Sequence, residues 1–451
     1  MADAVTLPPE FEVQMQALLG NSYVNYKQSL SQPASTSIRI NPHKPVTIQG
    51  EPVPWSMYGY YLAERPVFTL DPLLHAGAYY VQEASSMFPE QVIRQTALTE
   101  KPLRVLDLCA APGGKSTHLL SLLHPDSLLI ANETIRGRTA ILTENIIKWG
   151  HANVLVTHND PQDFGELKGF FDMVVVDAPC SGEGLFRKDE NARSEWSLNN
   201  VQLCSRRQQR IIDDAWPALK ENGILVYSTC THNRSENEEV IERLIKTREA
   251  EPVALNIQKS WNIGVSTGKA IGYRFYPHRV KGEGFFLAAI RKLALQSEIR
   301  IKPKSNIAPL KKEERDRISD WLKNHDGFSF FLHNNLIRAL PGDRADEIEF
   351  LTQHLNVLLA GTAVATAGRD KLVPEHAAAL SVHLNTQNFP CIDLSLPQAL
   401  AYLRKESIPV DSTHTGFALV TYKTIPLGWV NVLANRVNNL YPSAWRIRMK
   451  P

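Results

Sequence analysis

The segment between residues 101 and 292 alternates short apolar runs with longer amphipathic stretches. The apolar runs have the length and β-branched content of buried strands, whereas the amphipathic stretches repeat their apolar positions with helical spacing. Strands that alternate with helices in this way predict an α/β domain with a mostly parallel sheet. The predicted strands are residues 103–108, 128–132, 154–157, 173–176, 224–228 and 284–290, and the predicted helices are residues 138–149 and 201–219. A third helix, ending near residue 245, is predicted from Ser235 and Glu238, which have the spacing of a capping box.

The pattern differs on both sides of this segment. Residues 1–100 mix helical and short extended pieces, which predicts a small N-terminal domain. Residues 293–312 are polar and contain proline, so we expect a linker there. Residues 313–385 are predicted to form a small intermediate domain and residues 386–451 a C-terminal α+β domain, with helices over 312–324 and 396–404. The basic residues in and beside the predicted linker are Arg300, Lys302, Lys304, Lys311 and Lys312.

The composition excludes some classes of protein but does not identify a binding partner. Of the 451 residues, 43% are hydrophobic and 21% are charged, which is ordinary for a globular protein and excludes a globally disordered chain. The formal net charge is only +2, so nucleic-acid binding would have to come from local basic patches. The sequence shows no secretory signal and no run of about 20 apolar residues, so we expect a cytoplasmic protein without a membrane partner.

The five cysteines are odd in number and widely spaced. They have neither the density of a disulfide scaffold nor the paired spacing of zinc ligands, so free thiols and no metal are expected. The cysteines are Cys109, Cys180, Cys204, Cys230 and Cys391.

A glycine-containing loop joins the first predicted strand to a helix, at a place where the backbone must approach a ligand closely. Two kinds of ligand, a nucleoside triphosphate and a nucleoside cofactor, could bind to such a loop. Gly114, Lys115 and Ser116 resemble the end of a phosphate-binding P-loop, and residues 174–177 resemble its magnesium-binding strand. A P-loop needs a glycine where this chain has Cys109, and Pro112 lacks a backbone donor, so the sequence disfavours a nucleoside triphosphatase.

Two acidic residues favour a nucleoside cofactor instead. Glu133 ends the second predicted strand, where a carboxylate can accept hydrogen bonds from both ribose hydroxyls. Asp160 ends the third strand and is a candidate for the adenine amino group. Taken alone, each acid is more simply explained as a helix cap or a solvated loop residue. Their joint placement at the carboxyl edge of the sheet predicts cofactor binding.

Two cysteines follow two of the predicted strands, which indicates covalent chemistry. Cys180 lies just after Asp177 at the end of the fourth strand, and Cys230 follows the fifth. A thiolate that adds to carbon 6 of a cytosine makes carbon 5 able to attack a methyl donor. Asp177 is placed to hydrogen-bond or protonate the ring nitrogen edge, and Lys115 to orient that acid. Spacing alone does not choose between the two cysteines, and a lone cysteine is usually a small buried apolar residue.

Several runs together resemble the NOL1/NOP2/Sun family of RNA cytosine-5 methyltransferases. These are residues 107–115, the run Asp177 to Gly182, the run Ser228 to Thr231, and the flanking runs 77–86 and 274–278. The resemblance implies a Rossmann-like core that uses S-adenosyl-L-methionine, with Cys230 as the nucleophile and Cys180 assisting product release. It also implies a set of residues that bind or border the cofactor: Cys109, Ala110, Ala111, Pro112, Gly113, Gly114, Lys115, Glu133, Asp160 and Asp177.

RNA contacts are expected from the N-terminal domain, residues 1–100, from basic residues near the site and from the C-terminal domain. Arg187 and Lys188 follow the Cys180 loop and are candidates for phosphate contacts. Residues 428–442 resemble the end of a bacterial ribosomal RNA branch of this family, whose last domain is PUA-like. The resemblance implies action on 16S ribosomal RNA in the small subunit or an assembly intermediate, and we expect a monomer. The alternatives are a transfer RNA methyltransferase and a non-catalytic ribosome-assembly protein on the same scaffold.

Overall fold

The computed structural model describes residues 6–96, 98, 100–266, 268–301, 310–333, 335–342, 344–368, 371–409 and 414–450. Two basic residues of the predicted linker, Lys302 and Lys304, lie outside this range. Within it the strands form four sheets. No helix in the described part of the chain is both long and apolar enough to cross a membrane.

The largest sheet confirms the predicted α/β core. Its central strands run parallel, and the neighbouring strand Phe285–Lys292 is antiparallel. Every predicted strand is confirmed, two of them with the predicted bounds and the others shifted by a few residues at their ends. The order across the sheet is Gly264–Val265, Tyr273–Phe275, Phe285–Lys292, Leu219–Thr229, Phe171–Asp177, Arg104–Asp107, Leu128–Asn132, Val154–Thr157 and Val357–Ala360, and Ala250–Pro252 pairs with Phe285–Lys292.

The strand order explains where a ligand can bind. The chain begins the sheet at Arg104–Asp107, builds outward to Val154–Thr157, and then returns to place Phe171–Asp177 on the other side of the first strand. This reversal is the topological switch point of a Rossmann-like fold, where a crevice opens beyond the carboxyl ends of the strands. The strands beside the crevice are buried, with apolar side chains on both faces of the sheet.

Helices cover both faces of this sheet. The predicted helix 201–219 begins earlier and ends at Ala215, because a short 3₁₀ turn follows it and Leu219 already starts the next strand. The α-helices of the whole described chain, including those outside the core, are Pro9–Leu19, Tyr23–Ser29, Pro72–His75, Pro89–Gln95, Gly114–Leu122, Arg136–Trp149, Pro161–Gly165, Glu190–Glu195, Leu198–Ala215, Glu238–Thr247, Lys312–Ile318, Ala345–His354, His376–Leu380 and Leu396–Leu403.

The predicted capping box at Ser235 and Glu238 is wrong. The helix Glu238–Thr247 has Asn237 at its N-cap, and no side chain caps it. The Glu238 carboxylate instead forms a buried ion pair with Arg274, which lies on the strand Tyr273–Phe275. A long-range charge partner has therefore displaced the local interaction that the spacing suggested.

Three smaller sheets lie outside the core. The N-terminal sheet contains Glu51–Pro52, Gly59–Leu62, Thr36–Ile40 and Tyr79–Val81. The second contains Phe328–His333, Leu336–Pro341, Thr362–Ala367 and Leu372–Pro374, and the C-terminal sheet contains Cys391–Asp393, Gly416–Tyr422, Ile425–Leu433 and Arg436–Asn439. Val357–Ala360, from the range predicted as an intermediate domain, extends the central sheet beside Val154–Thr157.

The N-terminal and C-terminal sheets share one apolar core. Ile38 and Tyr79 of the N-terminal sheet belong to the same buried cluster as Leu400 and Tyr402 of the C-terminal helix Leu396–Leu403. That helix also contacts the short helix Pro72–His75. The C-terminal segment is therefore packed against the start of the chain, so deleting it would expose apolar surface on the N-terminal sheet.

Loss of this packing should loosen the N-terminal sheet. We expect Leu400→Ala to lower the free energy of unfolding by about 2–5 kcal/mol, because Leu400 is 5% exposed and its removal leaves a cavity. Hydrogen exchange in Thr36–Ile40 should accelerate as well. Leu396→Ala on the same helix is the control, since Leu396 is 44% exposed. Unchanged exchange in Thr36–Ile40 would show that the shared core does not couple the two sheets.

Candidate active site

The loop after the first strand turns sharply into the helix Gly114–Leu122. Gly113 makes the turn with a φ of 113°, a conformation that favours glycine. The loop carbonyls are braced from the helix Arg136–Trp149, because Asn145 donates to the Pro112 oxygen at 2.8 Å and Arg138 to the Ala111 oxygen at 2.5 Å. The predicted cofactor loop is thus held at the switch point of the sheet.

Asp107 closes the first strand beneath this loop. Its Oδ2 accepts a hydrogen bond from Ser116 Oγ at 2.6 Å. Burial raises the pKa of Asp107 to about 7. Its other carboxylate oxygen has no hydrogen-bond partner among the residues that the structure describes. A buried carboxyl with a free oxygen is a polar group that a ligand can satisfy.

Glu133 follows the second strand and is 3% exposed. Its Oε1 accepts from the Ile135 amide at 2.8 Å, and Arg138 lies 3.4 Å from Oε2 as an ion-pair partner. Within the described ranges no donor forms a hydrogen bond with Oε2. This buried acceptor fits the ribose hydroxyls of a nucleoside cofactor, which can donate to it.

Asp160 has a structural role that its sequence position also allows. Its side chain caps the short helix Pro161–Gly165 by accepting from the Gln162 amide, and Arg210 lies 3.4 Å from it. The carboxylate is partly exposed at the edge of the crevice. A contact with the cofactor's adenine stays a prediction.

Asp177 and Lys115 lie in direct contact, as their predicted roles require. Lys115 Nζ is 2.7 Å from Asp177 Oδ2, and Ser228 Oγ donates to Asp177 Oδ1 at 2.7 Å. Lys115 also lies over the ring of Phe285, with 5.3 Å between its Nζ and the ring centroid. The carboxylate of Asp177 is therefore oriented by one cation and one hydroxyl.

The two cysteines meet at the ends of neighbouring strands. Asp177 pairs with Ser228 in the sheet, which brings the two loops that follow side by side. Cys180 Sγ is 3.1 Å from Cys230 Sγ, and the Cys230 amide donates to Cys180 Sγ at 3.3 Å. The hydrogen bond with Cys230 and burial together raise the pKa of the Cys180 thiol well above its ordinary value. Cys180 is thus held as a thiol next to Cys230.

A cavity of about 220 Å³ opens over Cys230. The groups that the chemistry needs, a thiol, a carboxylate and an ammonium, all line it. Cys230 lines the cavity and Cys180 does not. The lining residues are Glu83, Ser86, Lys115, Asp177, Ala178, Leu185, Lys188, Cys230, Glu283, Gly284 and Phe285.

The two predicted RNA contacts differ in their surroundings. The Arg187 side chain is only 6% exposed, and its guanidinium donates to both carboxylate oxygens of Glu283 and to the Gly282 carbonyl. It therefore holds the wall of the cavity and is not free to meet a phosphate in this conformation. Lys188 lies 3.2 Å from Glu283 but is partly exposed at the cavity, so it remains a candidate for a phosphate contact.

Three further acids build this site, and sequence reasoning missed two of them, Glu183 and Glu236. Glu83 accepts from the Glu283 and Ser86 amides and so fixes one cavity wall. Glu183 accepts from the His232 amide at 2.9 Å, and Glu236 accepts from the Ser181 amide at 2.9 Å. Only Glu83 carried a signal in the sequence, because it lies in the run 77–86 that resembles the family.

Comparison with known proteins matches three parts of the chain to family models. Residues 96–291 match the family described as 16S rRNA methyltransferase RsmB/F. Residues 7–84 match the N-terminal domain of 16S rRNA methyltransferase RsmF, and residues 389–447 match the methyltransferase RsmF PUA domain.

Individual relatives cover nearly the whole chain. Ribosomal RNA small subunit methyltransferase F of Shewanella sp. (strain W3-18-1) is 33% identical, over 87% of this chain and 84% of that protein. The protein of the same name from Shewanella loihica is 30% identical, over 91% of this chain and 89% of that protein. The crystal structure of a methyltransferase homolog protein from Pyrococcus horikoshii has a TM-score of 0.52 and 28% identity, and the match covers 64% of this chain and all of that one.

Proposed function

Because the chain belongs to the ribosomal RNA small subunit methyltransferase F family, we propose that it methylates carbon 5 of a cytosine in 16S ribosomal RNA. The methyl donor in this proposal is S-adenosyl-L-methionine, which brings an electrophilic methyl group when bound. Glu133 and the loop from Cys109 to Lys115 would hold it. The buried Oε2 atom of Glu133, which lacks a hydrogen bond among the described residues, supports this assignment.

The observation that carries the proposal is the placement of Cys230, Asp177 and Lys115 around one cavity. A nucleophile, an acid and a cation that orients the acid are the groups needed to activate a pyrimidine ring. The cavity lies at the carboxyl edge of the sheet, beside the loop assigned to the cofactor.

In the proposed reaction the Cys230 thiolate adds to carbon 6 of the cytosine. The electron pair displaced from the ring double bond makes carbon 5 the nucleophile that takes the methyl group. Asp177, as the carboxylic acid, stabilises the adduct by donating a hydrogen bond to the ring nitrogen on which negative charge develops, and Lys115 keeps its carboxyl group in place. After methylation, carbon 5 must lose its proton and Cys230 must leave carbon 6. The carbon 5 proton passes to water, and the Cys180 thiol assists the departure of Cys230 by donating a hydrogen bond to its sulfur, which lies 3.1 Å away.

The target base must leave its stack to reach Cys230. We assign Lys188 to a phosphate near the extruded nucleotide, because it combines exposure with a place at the cavity. The PUA domain, residues 389–447, is assigned to docking the ribosomal RNA. The protein would act as a monomer in the cytoplasm, on the small subunit or on an intermediate of its assembly.

The proposal is tested with purified protein, labelled S-adenosyl-L-methionine and three substrates: naked 16S RNA, assembled small subunits and transfer RNA. Digestion to nucleosides should yield labelled 5-methylcytidine from a ribosomal substrate. Labelled product from transfer RNA alone would change the substrate class. Methylation of another atom would overturn the chemistry, and no product on any substrate would favour a non-catalytic RNA-binding role.

Removal of the Glu133 carboxylate should weaken cofactor binding. We expect Glu133→Ala to lower the affinity for S-adenosyl-L-methionine by roughly 10- to 100-fold in calorimetry, because hydrogen bonds to a charged acceptor are lost. Glu144→Ala is the matched control, since Glu144 lies on the following helix and pairs with Lys148. Unchanged affinity in Glu133→Ala, or tighter binding of ATP with magnesium than of S-adenosyl-L-methionine, would remove the cofactor assignment.

A further inference from the structure

Glu236 lies directly beneath the two cysteine loops and is completely buried. It follows Cys230 in the segment between the strand Leu219–Thr229 and the helix Glu238–Thr247. A carboxylate in such a position needs several donors, because an unpaired buried charge is costly. Its donors come from Ser181 in the Cys180 loop and from Gln208 on the helix Leu198–Ala215.

The first set of contacts fixes the Cys180 loop. Glu236 Oε2 accepts from the Ser181 amide at 2.9 Å, and Oε1 accepts from Ser181 Oγ at 2.5 Å. Gln208 donates to Glu236 Oε2 at 2.9 Å and to the Pro179 carbonyl at 3.0 Å. The residues on both sides of Cys180 are therefore tied to one carboxylate.

The second set of contacts reaches the Cys230 loop. Ser181 Oγ, already bonded to Glu236, lies 3.0 Å from Thr231 Oγ1. Thr231 is the neighbour of Cys230 in the chain. The Tyr227 hydroxyl donates a hydrogen bond to the main-chain carbonyl of Glu236 at 2.6 Å. This bond anchors Glu236 to the strand that leads to Cys230. A single residue thus joins both loops.

We propose that Glu236 is a positioning residue that sets the separation between the Cys180 and Cys230 sulfurs. The consequence for catalysis rests on the proposed function, because elimination from a Cys230 adduct requires Cys180 beside it. The geometric part does not depend on that function. Misplacement of a reacting group by about 1 Å is enough to slow a step by roughly 100-fold.

Glutamine is a suitable conservative replacement. Its oxygen can accept from Ser181 N and Gln208, and its amide can donate to Ser181 Oγ, leaving that hydroxyl to donate to Thr231. Burial raises the pKa of Glu236 to about 7, and the nearby Glu183 carboxylate acts in the same direction. The neutral form that glutamine imitates is therefore well populated at neutral pH.

The separation of the sulfurs can be measured without RNA or cofactor. A copper(II)-phenanthroline oxidant takes two electrons from the thiols, which release two protons and form a Cys180–Cys230 disulfide. The rate is followed by mass spectrometry of the linked peptides. We expect Glu236→Ala to form this disulfide about tenfold more slowly than the parent, and Glu236→Gln to stay within about twofold of it.

Glu90→Ala is the control for a general loss of stability. Glu90 is also completely buried and bonded to Ser56, Met57 and His118, away from the cysteine loops. Its removal should leave the disulfide rate within about twofold of the parent. If Glu236→Ala does not fold, Ser181→Ala replaces it, because it removes the hydroxyl that joins Glu236 to Thr231. We expect that variant to form the disulfide about fivefold more slowly.

The proposal is overturned if Glu236→Ala forms the disulfide at the rate of the parent protein. The same holds for Ser181→Ala where that variant replaces it. An equal slowing in Glu90→Ala would overturn it as well. With RNA and S-adenosyl-L-methionine, Glu236→Ala should slow multiple turnovers more than a single methyl transfer, and Glu236→Gln should restore the parent ratio. If the parent methylates no RNA, the proposed function fails while the disulfide rates still decide the positioning role.

Discussion

Cys230→Ala is expected to abolish methylation while leaving the binding of cofactor and RNA intact. The rate should fall by about 10⁴-fold or more, as in enzymes that lose their nucleophile. Cys180 cannot take over the role. Its sulfur does not line the cavity, and burial, which still raises the pKa of its thiol once the hydrogen bond with Cys230 is lost, disfavours the thiolate. The measurement is single-turnover transfer of a labelled methyl group to 16S RNA.

Binding must be measured on the same variant, because a folding defect would also remove activity. Calorimetry with S-adenosyl-L-methionine and RNA binding at fixed salt serve this purpose. Cys204→Ala is a matched control, since Cys204 is a buried cysteine on the helix Leu198–Ala215 and lies outside the cavity. Residual methylation by Cys230→Ala above about one per cent of the parent rate would contradict the assigned nucleophile.

Cys180→Ala is expected to stall after the attack by Cys230. Loss of a group that donates a proton or a hydrogen bond in a reacting step typically costs 10²- to 10⁴-fold, so we expect multiple turnover to slow by roughly 100-fold or more. The stalled enzyme should appear as a protein–RNA complex that survives denaturing electrophoresis. Its formation should require S-adenosyl-L-methionine and should disappear in the Cys180→Ala, Cys230→Ala double variant.

The two single variants must therefore fail differently. If Cys180→Ala releases product at the parent rate, its sulfur has no part in elimination, despite lying 3.1 Å from Cys230. If Cys180→Ala shows neither adduct nor product while it still binds RNA and cofactor, Cys180 is needed before the attack.

The core of the fold was predictable because its signals are local. The strands Leu128–Asn132 and Val154–Thr157 are short apolar runs bounded by polar residues, and their predicted bounds are confirmed. Parallel strands place their carboxyl ends on one edge, so the contact between the Cys180 and Cys230 loops also followed from sequence order. The choice of Cys230 as nucleophile did not, since both cysteines end neighbouring strands and only the family resemblance separates them.

The remaining features depend on partners far along the chain. Glu238 has the spacing of a helix cap, but its partner is Arg274 on the strand Tyr273–Phe275. Arg187 is a basic residue near the site, as a phosphate contact would be, but its guanidinium forms an ion pair with Glu283. The packing of Leu396–Leu403 on the N-terminal sheet joins residues more than 300 positions apart, and no local pattern reports such a contact. Buried polar pairs and distant apolar contacts need the folded structure to be recognised.

The central claim is that Cys230 forms the covalent bond to the target base. The most direct measurement traps that bond in the unaltered protein, using 16S RNA that carries 5-fluorocytosine. Fluorine replaces the proton that must leave carbon 5, so elimination is blocked and the adduct persists. Peptide mapping by mass spectrometry should find the nucleotide on the peptide that contains Cys230, and only when S-adenosyl-L-methionine is present. A nucleotide attached to Cys180, or no adduct on a substrate that the protein methylates, would contradict the account.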